Sequence, residues 1–363
     1  MDYHSERTGN CRIFEFHHRG GNFLSVENDC IRLTIWLDKG TDIVEIRYKP
    51  LDLNLMWASP VGLRDITRQI PTVATPRGNN NDYYPGGWHE ALPGGGPYEE
   101  GGNFQGLHGE VSLMPWTWRM LRDDVEEAQV EFSCTLVRMP LKVIKVLTIK
   151  QNTTSIYFEE TLVNLSRDSL SFMWGHHPTF GKPFVGPQTK LFTSATRFHV
   201  AESSPNFASP YTASVFEPGS THPWPIGKGK NGKGVDLSIF PPFDIESAEM
   251  LYLEVPIDGG WFALCNRELD ISAGIVWDAT VFPAMWYWKN LYGLHGYPWY
   301  GEGYNIGLEF WTGWPNYEEC KRKNTLMRLN GYEEVSTHYV MHIWKGSRAI
   351  QSMSFDGPGF SNV

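Results

Sequence analysis

The sequence lacks the features that mark several large classes of protein. No stretch reaches about 18 consecutive apolar residues, so we expect no membrane-spanning helix. The five cysteines are far apart and form no CxxC pair, which argues against a disulfide framework and a thiolate zinc site. The first residues have no apolar signal-peptide core. We therefore expect a cytoplasmic protein.

Motifs for nucleotide binding and for covalent or metal catalysis are also missing. GxxxxGK[ST], GxSxG and HExxH do not occur, and GGGPYEEGG lacks the βαβ context of a dinucleotide fingerprint. A net charge of −10 without a basic run disfavours nucleic acid and anionic membranes as partners. A zinc site needs three or four convergent ligands, which the pairs His108/Glu110 and His176/His177 do not assemble by spacing. We expect neither a metal nor a cofactor.

The composition favours a large core built from strands. The chain has 363 residues, of which 41% are apolar and 14% aromatic, including 15 Trp. Aromatic residues favour strands, and their rings also stack on the apolar faces of sugars. Clustered glycines and prolines indicate many turns and long loops.

Short segments with a period of two, bounded by Gly, Pro, Asn or Asp, dominate the chain. This pattern predicts an all-β antiparallel sandwich in a single domain, with a hairpin around Pro140 and one convincing helix at 316–331. We place an N-terminal extension at 1–21, the sandwich domain at 22–345 and a C-terminal tail at 346–363. The predicted strands are 23–37, 42–48, 128–139, 141–150, 155–166, 170–175, 250–256, 261–266, 271–278, 284–290, 305–312 and 336–346.

Two long loops rich in Gly, Pro and Asn interrupt the strands, at 75–110 and 202–234. Long loops in a compact domain are usually functional or disordered. The first is the better functional candidate because it carries aromatic residues together with the ionisable side chains Arg77, His89, Glu90 and His108.

Three separate segments place ionisable groups beside glycine or proline and aromatic residues. They are LHGEV at 107–111, WGHHPTFG at 174–181 and GLEFWTGWP at 307–315. One such group alone is more often a structural residue. Three together favour a carbohydrate pocket, in which desolvation brings the pKa values of histidine and glutamate towards each other and suits general acid–base catalysis.

These segments, with WLDKGTDIVEI at 36–46, GGWHEALPGGG at 86–96 and PWTW at 115–118, resemble the galactose mutarotase-like superfamily, which includes the aldose 1-epimerases. The order and spacing of the motifs agree from about residue 22 to residue 345. The resemblance implies a β-supersandwich, a small-molecule sugar as substrate and no cofactor.

The resemblance also implies roles for three residues. Glu309 would be the base that takes the proton of the anomeric hydroxyl, and His177 would be the acid that protonates the ring oxygen. His108 would hold the ring or C1 oxygen and stabilise developing charge. HPTF matches His177 rather than His176, and adjacent strand residues face opposite sides of a sheet.

Several further residues are candidates for contact with the sugar. The aromatic insert 286–305 contributes two of them, and its role is left open among a larger sugar, a partner surface and packing. The resemblance also implies an aspartate that binds sugar hydroxyl groups. The sequence does not distinguish among Asp236, Asp258, Asp270 and Asp278 for this role. The predicted substrate-binding residues are Arg77, Trp88, Glu90, Glu110, His176, Trp288 and Trp299.

Two other functions remain open at this stage. A non-catalytic carbohydrate-binding protein would keep the pocket with an idle acid–base pair. A lyase or hydrolase acting on an unusual glycoside would pair Glu309 with Glu90 or Glu110 across the glycosidic bond. The isolated Arg77 favours a neutral or weakly charged sugar, and the oligomeric state, a homodimer included, is left open.

Overall fold

Nearly all of the regular structure is β-strand, as the alternating pattern predicts. The computed structural model describes residues 10–66, 78–202 and 214–360. The strands up to the middle of the chain are β1 (Arg12–His18), β2 (Gly21–Glu27), β3 (Ile31–Trp36), β4 (Asp42–Tyr48), β5 (Leu53–Asn54), β6 (Trp88–Ala91), β7 (Tyr98–Glu100), β8 (Asn103–Gln105), β9 (Thr117–Asp123), β10 (Glu127–Thr135), β11 (Leu141–Lys150), β12 (Ser155–Asn164), β13 (Leu170–Phe172) and β14 (Gly175–Gly181).

The second half continues the same architecture. Helices α1 (Gly78–Asp82) and α2 (Tyr317–Lys323) are short, and a 3-10 turn spans Lys49–Leu51. Neither α-helix among the described residues has the length and apolar character needed to cross a membrane. The remaining strands are β15 (Thr189–Thr193), β16 (Arg197–His199), β17 (Thr221–Pro223), β18 (Ile226–Lys228), β19 (Gly234–Asp236), β20 (Ser247–Glu254), β21 (Gly260–Asn266), β22 (Ile271–Trp277), β23 (Ala284–Leu291), β24 (Tyr304–Trp311), β25 (Met327–Leu329), β26 (Glu334–Lys345), β27 (Ile350–Ser354) and β28 (Gly357–Phe360).

Two large antiparallel sheets form the sandwich. The first has the order β1-β2-β3-β4-β6-β14-β24-β23-β20-β16-β17, with β5 attached to β4. The second has the order β15-β21-β22-β26-β12-β11-β10-β9. The sheets meet through rings such as Trp88 on Phe158, 5.1 Å apart, and Trp277 on Phe310, 5.2 Å apart. We call the side of the first sheet that packs on the second its inner face, and the opposite side its outer face.

The burial patterns of the strands show where the outer face is covered. β10, β11 and β12 alternate buried and partly exposed positions, as expected for strands with one face in the core. In β14 and β24 every residue is buried. The outer face of the first sheet is therefore covered at its centre.

Most of the predicted strands are confirmed. The segment 23–37, however, folds as the two strands β2 and β3, and the loops predicted at 75–110 and 202–234 contain β6–β8 and β17–β18. The prediction of the helix also needs correction. The hairpin at 127–150 is confirmed, with Thr135 opposite Lys142 and Pro140 in the turn. The predicted helix at 316–331 is wrong in its length, because α2 ends at Lys323. Asn324 adopts a left-handed conformation and its backbone N–H caps the helix, so the chain turns away and enters β25.

Both segments that the sequence analysis sets apart from the domain contain strands. In the N-terminal segment, Arg12–His18 adds β1 to the edge of the first sheet, paired along its length with β2. In the C-terminal segment, β27 and β28 form a hairpin. Ile350 and Met353 of β27 are buried against the outer side of the second sheet, where they contact a cluster that includes Trp261 and Val340.

Candidate active site

Three neighbouring strands of the first sheet bring two histidines and a glutamate into one line. The pairing of β6 with β14 places His89 opposite His177, and the pairing of β14 with β24 places Glu309 on the other side of His177. Because side chains alternate along a strand, His176 and Phe310 then point to the inner face. His89, His177 and Glu309 share the covered outer face.

The carboxyl group of Glu309 and the imidazole of His177 are in direct contact. Oε1 of Glu309 lies 3.1 Å from Nε2 of His177. The indole N–H of Trp311, two residues further along β24 on the same face, donates to Oε2 of Glu309 over 2.9 Å. Both carboxyl oxygens therefore have a partner, and the orientation of the group is fixed.

The second ring nitrogen of His177 faces two hydroxyl groups. The Thr179 hydroxyl oxygen lies 3.0 Å from Nδ1, and the Tyr84 hydroxyl oxygen lies 3.3 Å from it. The two hydroxyl oxygens are 2.8 Å apart and hydrogen-bonded to each other. This arrangement gives the Nδ1–H an acceptor and leaves Nε2 to exchange a proton with Glu309.

Burial determines the charge of the pair. Glu309 is 1% exposed and His177 is 4% exposed. Desolvation raises the pKa of Glu309 to about 8, and the bond from Trp311 lowers it only in part. Desolvation likewise lowers the pKa of His177 to about 3. At neutral pH the contact is therefore a hydrogen bond from a protonated carboxyl group to a neutral imidazole, not a salt bridge.

His108 reaches the same place from the loop that follows β8. Its Nδ1 lies 2.8 Å from Nε2 of His89, and its ring centre is 5.0 Å from that of His177. The backbone of His108 is left-handed, with φ of 60°, a conformation that is uncommon outside glycine. Gly109 follows with φ of 68°, and a Cβ there would lie 2.1 Å from the carbonyl oxygen of Leu92. The tight turn thus presents His108 to the outer face.

Four aromatic rings cover the acid–base pair. Trp288 lies 5.5 Å from the ring of His177, and Trp299 lies 5.7 Å from Trp288. The ring centre of Trp299 is also 5.3 Å from that of Trp57 and 6.0 Å from that of Tyr84. Together they form an aromatic wall against which the apolar face of a sugar could stack. Trp288 and Trp299 are the two predicted stacking residues that lie at this place.

Comparison with known protein families identifies the family of this chain. The model of a family described as a domain of unknown function, DUF4432, matches residues 18–220. The chain belongs to the DUF4432 family. A search of curated proteins found no match.

Solved structures that cover nearly the whole chain show its fold. A Klebsiella pneumoniae protein described as a "putative aldose 1-epimerase" has 15% identity and a TM-score of 0.68, and the match covers 92% of this chain and 82% of that one. A galactose mutarotase-like protein from Clostridium acetobutylicum has 14% identity and a TM-score of 0.64, with 93% and 99% covered. A galactose mutarotase-like protein from Lactobacillus casei has 13% identity and a TM-score of 0.59, with 89% and 100% covered. This DUF4432 member has the galactose mutarotase-like fold.

Several residues predicted to bind substrate lie elsewhere in the molecule. Trp88, Glu90 and His176 point to the inner face, between the sheets, because they alternate with His89 and His177. Glu110 accepts hydrogen bonds from the backbone N–H groups of residues 137 and 138, at 2.8–3.1 Å, and so holds the β10–β11 turn. None of these four contacts the acid–base pair. Arg77 lies outside the described residues.

The four aspartates left open by the sequence do not reach the pair either. Asp236 accepts from Ser238, and Asp278 accepts from Thr280, each in a local turn. Asp258 and Asp270 are exposed. Among the described residues, Glu309 is therefore the carboxyl group that contacts His177.

Four residues that surround the pair are not among the predicted site residues: Trp57, Tyr84, His89 and Thr179. Of these four, His89 is noted from the sequence, but without a predicted role. Two of them had a usable signal. Thr179 is two residues beyond His177 and therefore on the same face, and His89 alternates with the hydrophobic Trp88 in a short strand. Trp57 and Tyr84 come from connections whose course is set only by tertiary packing.

A second polar cluster lies directly behind the site, on the inner face. Nε2 of His176 is 2.9 Å from Glu160, and Glu90 accepts from Trp174 over 2.8 Å. One ligand atom from each of Glu90, Glu160 and His176 falls within 4.8 Å of the others, a grouping that could hold a metal ion. The ammonium of Lys145, however, is 3.2 Å from Glu90 and already supplies a positive charge to the two carboxyl groups.

Burial sets the protonation of this cluster as well. It raises the pKa of Glu160 to about 7 and lowers that of His176 to about 3. The pKa of Glu90 is also raised, first by burial and then by the neighbouring charge of Glu160. Two adjacent carboxyl groups with one ammonium therefore favour a state in which a single proton is shared.

We predict that Lys145→Met destabilises the protein by about 3–5 kcal/mol at neutral pH, because it leaves buried carboxyl groups without their cation. Their pKa values are raised above the unfolded-state values, so they become protonated as the pH falls and the loss should shrink at mildly acidic pH. Urea unfolding at both pH values measures this. Lys321→Met, which removes an exposed ion pair with Glu100, is the control and should cost at most about 1 kcal/mol. A Lys145→Met protein as stable as the control variant would contradict the assignment.

We predict that Glu309→Gln stabilises the protein as the pH rises. The folded-state pKa of about 8 lies above the unfolded value of 4.5, so wild-type stability falls as the pH rises through that window. Gln keeps the shape and accepts from Trp311 without ionising. The gain should be near zero at the acid end and reach about 2–5 kcal/mol at the alkaline end, at about 1.4 kcal/mol per pH unit. Urea midpoints across this range test it; a gain that does not depend on pH would disprove the raised pKa.

Proposed function

We propose that the chain is a carbohydrate epimerase of the aldose 1-epimerase type, which interconverts the α and β anomers of an aldose or an aldose derivative. The observation that carries the proposal is the contact between Glu309 and His177, 3.1 Å apart and buried under aromatic rings. Mutarotation needs one group to take a proton from O1 and another to give a proton to the ring oxygen. A carboxyl group and an imidazole that already share a proton are suited to this exchange.

The proposed ring opening starts from the charged form of the pair and returns it to the neutral form. In the cyclic sugar, the Glu309 carboxylate takes the O1 proton while the His177 imidazolium protonates O5, and the C1–O5 bond breaks. The products are an open-chain aldehyde, a protonated carboxyl group and a neutral imidazole. Rotation about C1–C2 presents the other face of the aldehyde, and the two proton transfers reverse as the ring closes.

Burial favours the protonation state that follows ring opening. The dry pair is uncharged, and this is also its state when the open-chain sugar is bound. With the cyclic sugar, the proton must first pass from Glu309 to His177, a step that hydroxyl groups of the bound sugar would assist by solvating the charges. Desolvation opposes this first transfer by as much as it favours the return to the neutral pair, so the bound sugar must supply the stabilisation of the charged pair.

The surroundings supply the remaining requirements of the mechanism. His108 is 5.0 Å from His177 between ring centres and would donate to the ring or C1 oxygen as charge develops. Gly307, two residues before Glu309 on the same face, adds no side chain beside the carboxyl group, where a Cβ would lie 3.1 Å from Oε1. Trp288 and Trp299 offer rings for stacking.

The sugar reaches the pair only if part of its cover moves. With 1% of its surface exposed, Glu309 barely contacts water, and a pyranose is far larger than a water molecule. Movement of covering groups on substrate entry, followed by closure, would exclude water from the open-chain aldehyde.

Glycoside hydrolysis, the alternative activity, would need a second carboxyl group beside Glu309, and neither candidate lies there. It requires two carboxyl groups that flank the glycosidic bond. Glu90 lies on the inner face, bonded to Trp174 and Lys145, and Glu110 is engaged with the backbone of the β10–β11 turn. Epimerisation at C1 needs only one carboxyl group and an imidazole, both of which the outer face provides.

We predict that the protein accelerates anomeric exchange of at least one sugar, measured by NMR exchange spectroscopy on a panel of hexoses, pentoses and sugar phosphates. Glu309→Gln and His177→Gln should each lose about 10²–10⁴-fold in kcat, the contribution of general acid–base catalysis. The matched controls are Glu246→Gln and His295→Gln, which alter an exposed glutamate–histidine contact and should keep full activity.

Three outcomes would count against parts of this proposal. No acceleration over buffer by the wild-type protein with any sugar of the panel would count against an epimerase. Activity and sugar affinity that survive unchanged in Glu309→Gln would remove the acid–base assignment. Tight sugar binding by calorimetry without any exchange would favour the non-catalytic carbohydrate-binding alternative.

A further inference from the structure

A third imidazole of the outer face, His89, has no role in the proposed proton transfers. It is 2% exposed and sits on β6 next to His177 in the sheet. Its ring stacks on that of His177 with centres 4.6 Å apart and planes at 16°. Its Nε2 lies 2.8 Å from Nδ1 of His108. His89 therefore contacts both histidines of the proposed mechanism.

Burial, helped by nearby groups that can carry positive charge, keeps His89 neutral. Burial is the main cause that lowers its pKa well below the ordinary value, and His177, His108 and Lys39 lower it further. The ring of Tyr84 meets it edge to face at 5.1 Å. The described residues offer no carboxylate within hydrogen-bonding distance of its ring nitrogens. His89 thus carries a single ring proton, and so does His108, whose pKa burial also lowers.

One hydrogen lies between the two imidazoles, and it can belong to either of them. In the first arrangement His89 donates from Nε2 and His108 accepts at Nδ1, so His108 carries its own proton on Nε2. In the second arrangement His108 donates from Nδ1, and His89 carries its proton on Nδ1. The two arrangements leave different groups without a partner.

The surroundings of His89 Nδ1, the ring nitrogen remote from His108, distinguish the two arrangements. This nitrogen is buried and has no hydrogen-bond partner among the described residues. The second arrangement would leave an N–H donor unsatisfied there, at a cost of about 1–3 kcal/mol. The first arrangement leaves only an unused acceptor, and acceptors without a partner are tolerated more often than donors. The geometry therefore favours His89 as the donor.

We propose that His89 is a positioning residue that donates its Nε2–H to His108 and thereby holds His108 in the tautomer that carries hydrogen on Nε2. In that tautomer His108 is a hydrogen-bond donor at the nitrogen remote from His89. The part of this inference that concerns the sugar rests on the proposed function, in which His108 donates to the ring or C1 oxygen. The tautomer itself does not depend on any activity.

The backbone supports the same role by fixing where the His108 ring begins. The backbone N–H of His108 donates to Gly95 over 3.1 Å, and its carbonyl accepts from Leu92 over 3.2 Å. These bonds hold the left-handed conformation, and the contact with His89 then fixes the ring and its proton. The loop and β6 together thus determine both the position and the donor character of His108.

The test is the tautomer of His108 in the full-length protein, read from the ¹⁵N shifts of its ring nitrogens by NMR at neutral pH. The His108 signals are assigned from their loss in His108→Gln. Hydrogen on Nε2 is expected in the wild type. It should persist in His89→Gln, whose amide N–H can take the place of the Nε2–H. In His89→Leu, which removes the donor, the hydrogen should stay on Nε2, the form that a free imidazole prefers, but the ¹⁵N signal of Nδ1 should move to the value of an acceptor nitrogen without a hydrogen bond.

Two results of this measurement would overturn the inference. One is a wild-type His108 with hydrogen on Nδ1, and the other is a His108 Nδ1 signal that is the same in His89→Leu as in the wild type. His89→Asn, which is shorter and cannot reach His108, takes the place of the leucine variant if that protein fails to fold.

Activity provides a second measurement. The anomeric exchange rate in His89→Leu should fall about 10- to 100-fold in kcat, with KM changed only a few-fold and recovery in His89→Gln. An unaltered kcat in a variant whose His108 Nδ1 signal shows the loss of the hydrogen bond would overturn the positioning role. If the wild type shows no epimerase activity, the proposed function fails, while the NMR arm still decides on the tautomer.

Discussion

The chemistry of this protein depends on the removal of water from one carboxyl group and one imidazole. Desolvation moves the pKa of Glu309 up and that of His177 down, so the two groups face each other uncharged across a single hydrogen bond. In water near neutral pH, the glutamate would be ionised and the histidine would be partly protonated, each independently of the other. The dry surroundings thus turn two ordinary side chains into a pair that holds one proton in common. The proposed epimerisation uses that proton.

The β-sandwich creates these surroundings by register and alternation. Adjacent strands place His89, His177 and Glu309 in one line on the outer face, while the residues between them enter the core. Inside, His176 belongs to a charged cluster that Lys145 neutralises in part. The same strands therefore carry one buried polar cluster on each face of the first sheet. The second sheet covers the inner cluster, and the aromatic wall of Trp57, Tyr84, Trp288 and Trp299 covers the outer one.

Much of the fold could be predicted from the sequence, because a strand with one face in the core shows a period of two in its own residues. The strands β6 and β14 are buried at every position, lack that pattern and are not among the predicted strands. The alternation in β10, β11 and β26 and the turns between strands required no knowledge of distant residues. The predicted helix at 316–331 runs past its end at Lys323, because Asn324 is compatible both with continued helix and with the left-handed conformation that ends α2. The galactose mutarotase-like fold followed from the order of several weak motifs, and the structural comparisons show it.

The site was less accessible to sequence reasoning, for a physical reason. A period of two tells which residues share a face but not which face meets solvent, so Glu90 and Glu110 could not be excluded beforehand. His89 became meaningful only through its pairing with β14, and Trp57 and Tyr84 through contacts between segments that are distant in the chain. Motif resemblance brought forward His108, His177 and Glu309, which the structure places together.

The most direct test of the account is the protonation state of Glu309 at neutral pH. An infrared difference spectrum between the wild-type protein and Glu309→Gln measures it. We expect the carbonyl band of a protonated carboxylic acid in the wild type, absent from the variant and converted to carboxylate bands as the pH rises past about 8. A Glu309 carboxylate already present at neutral pH, facing a charged His177, would contradict the shared-proton pair on which the proposed mechanism rests.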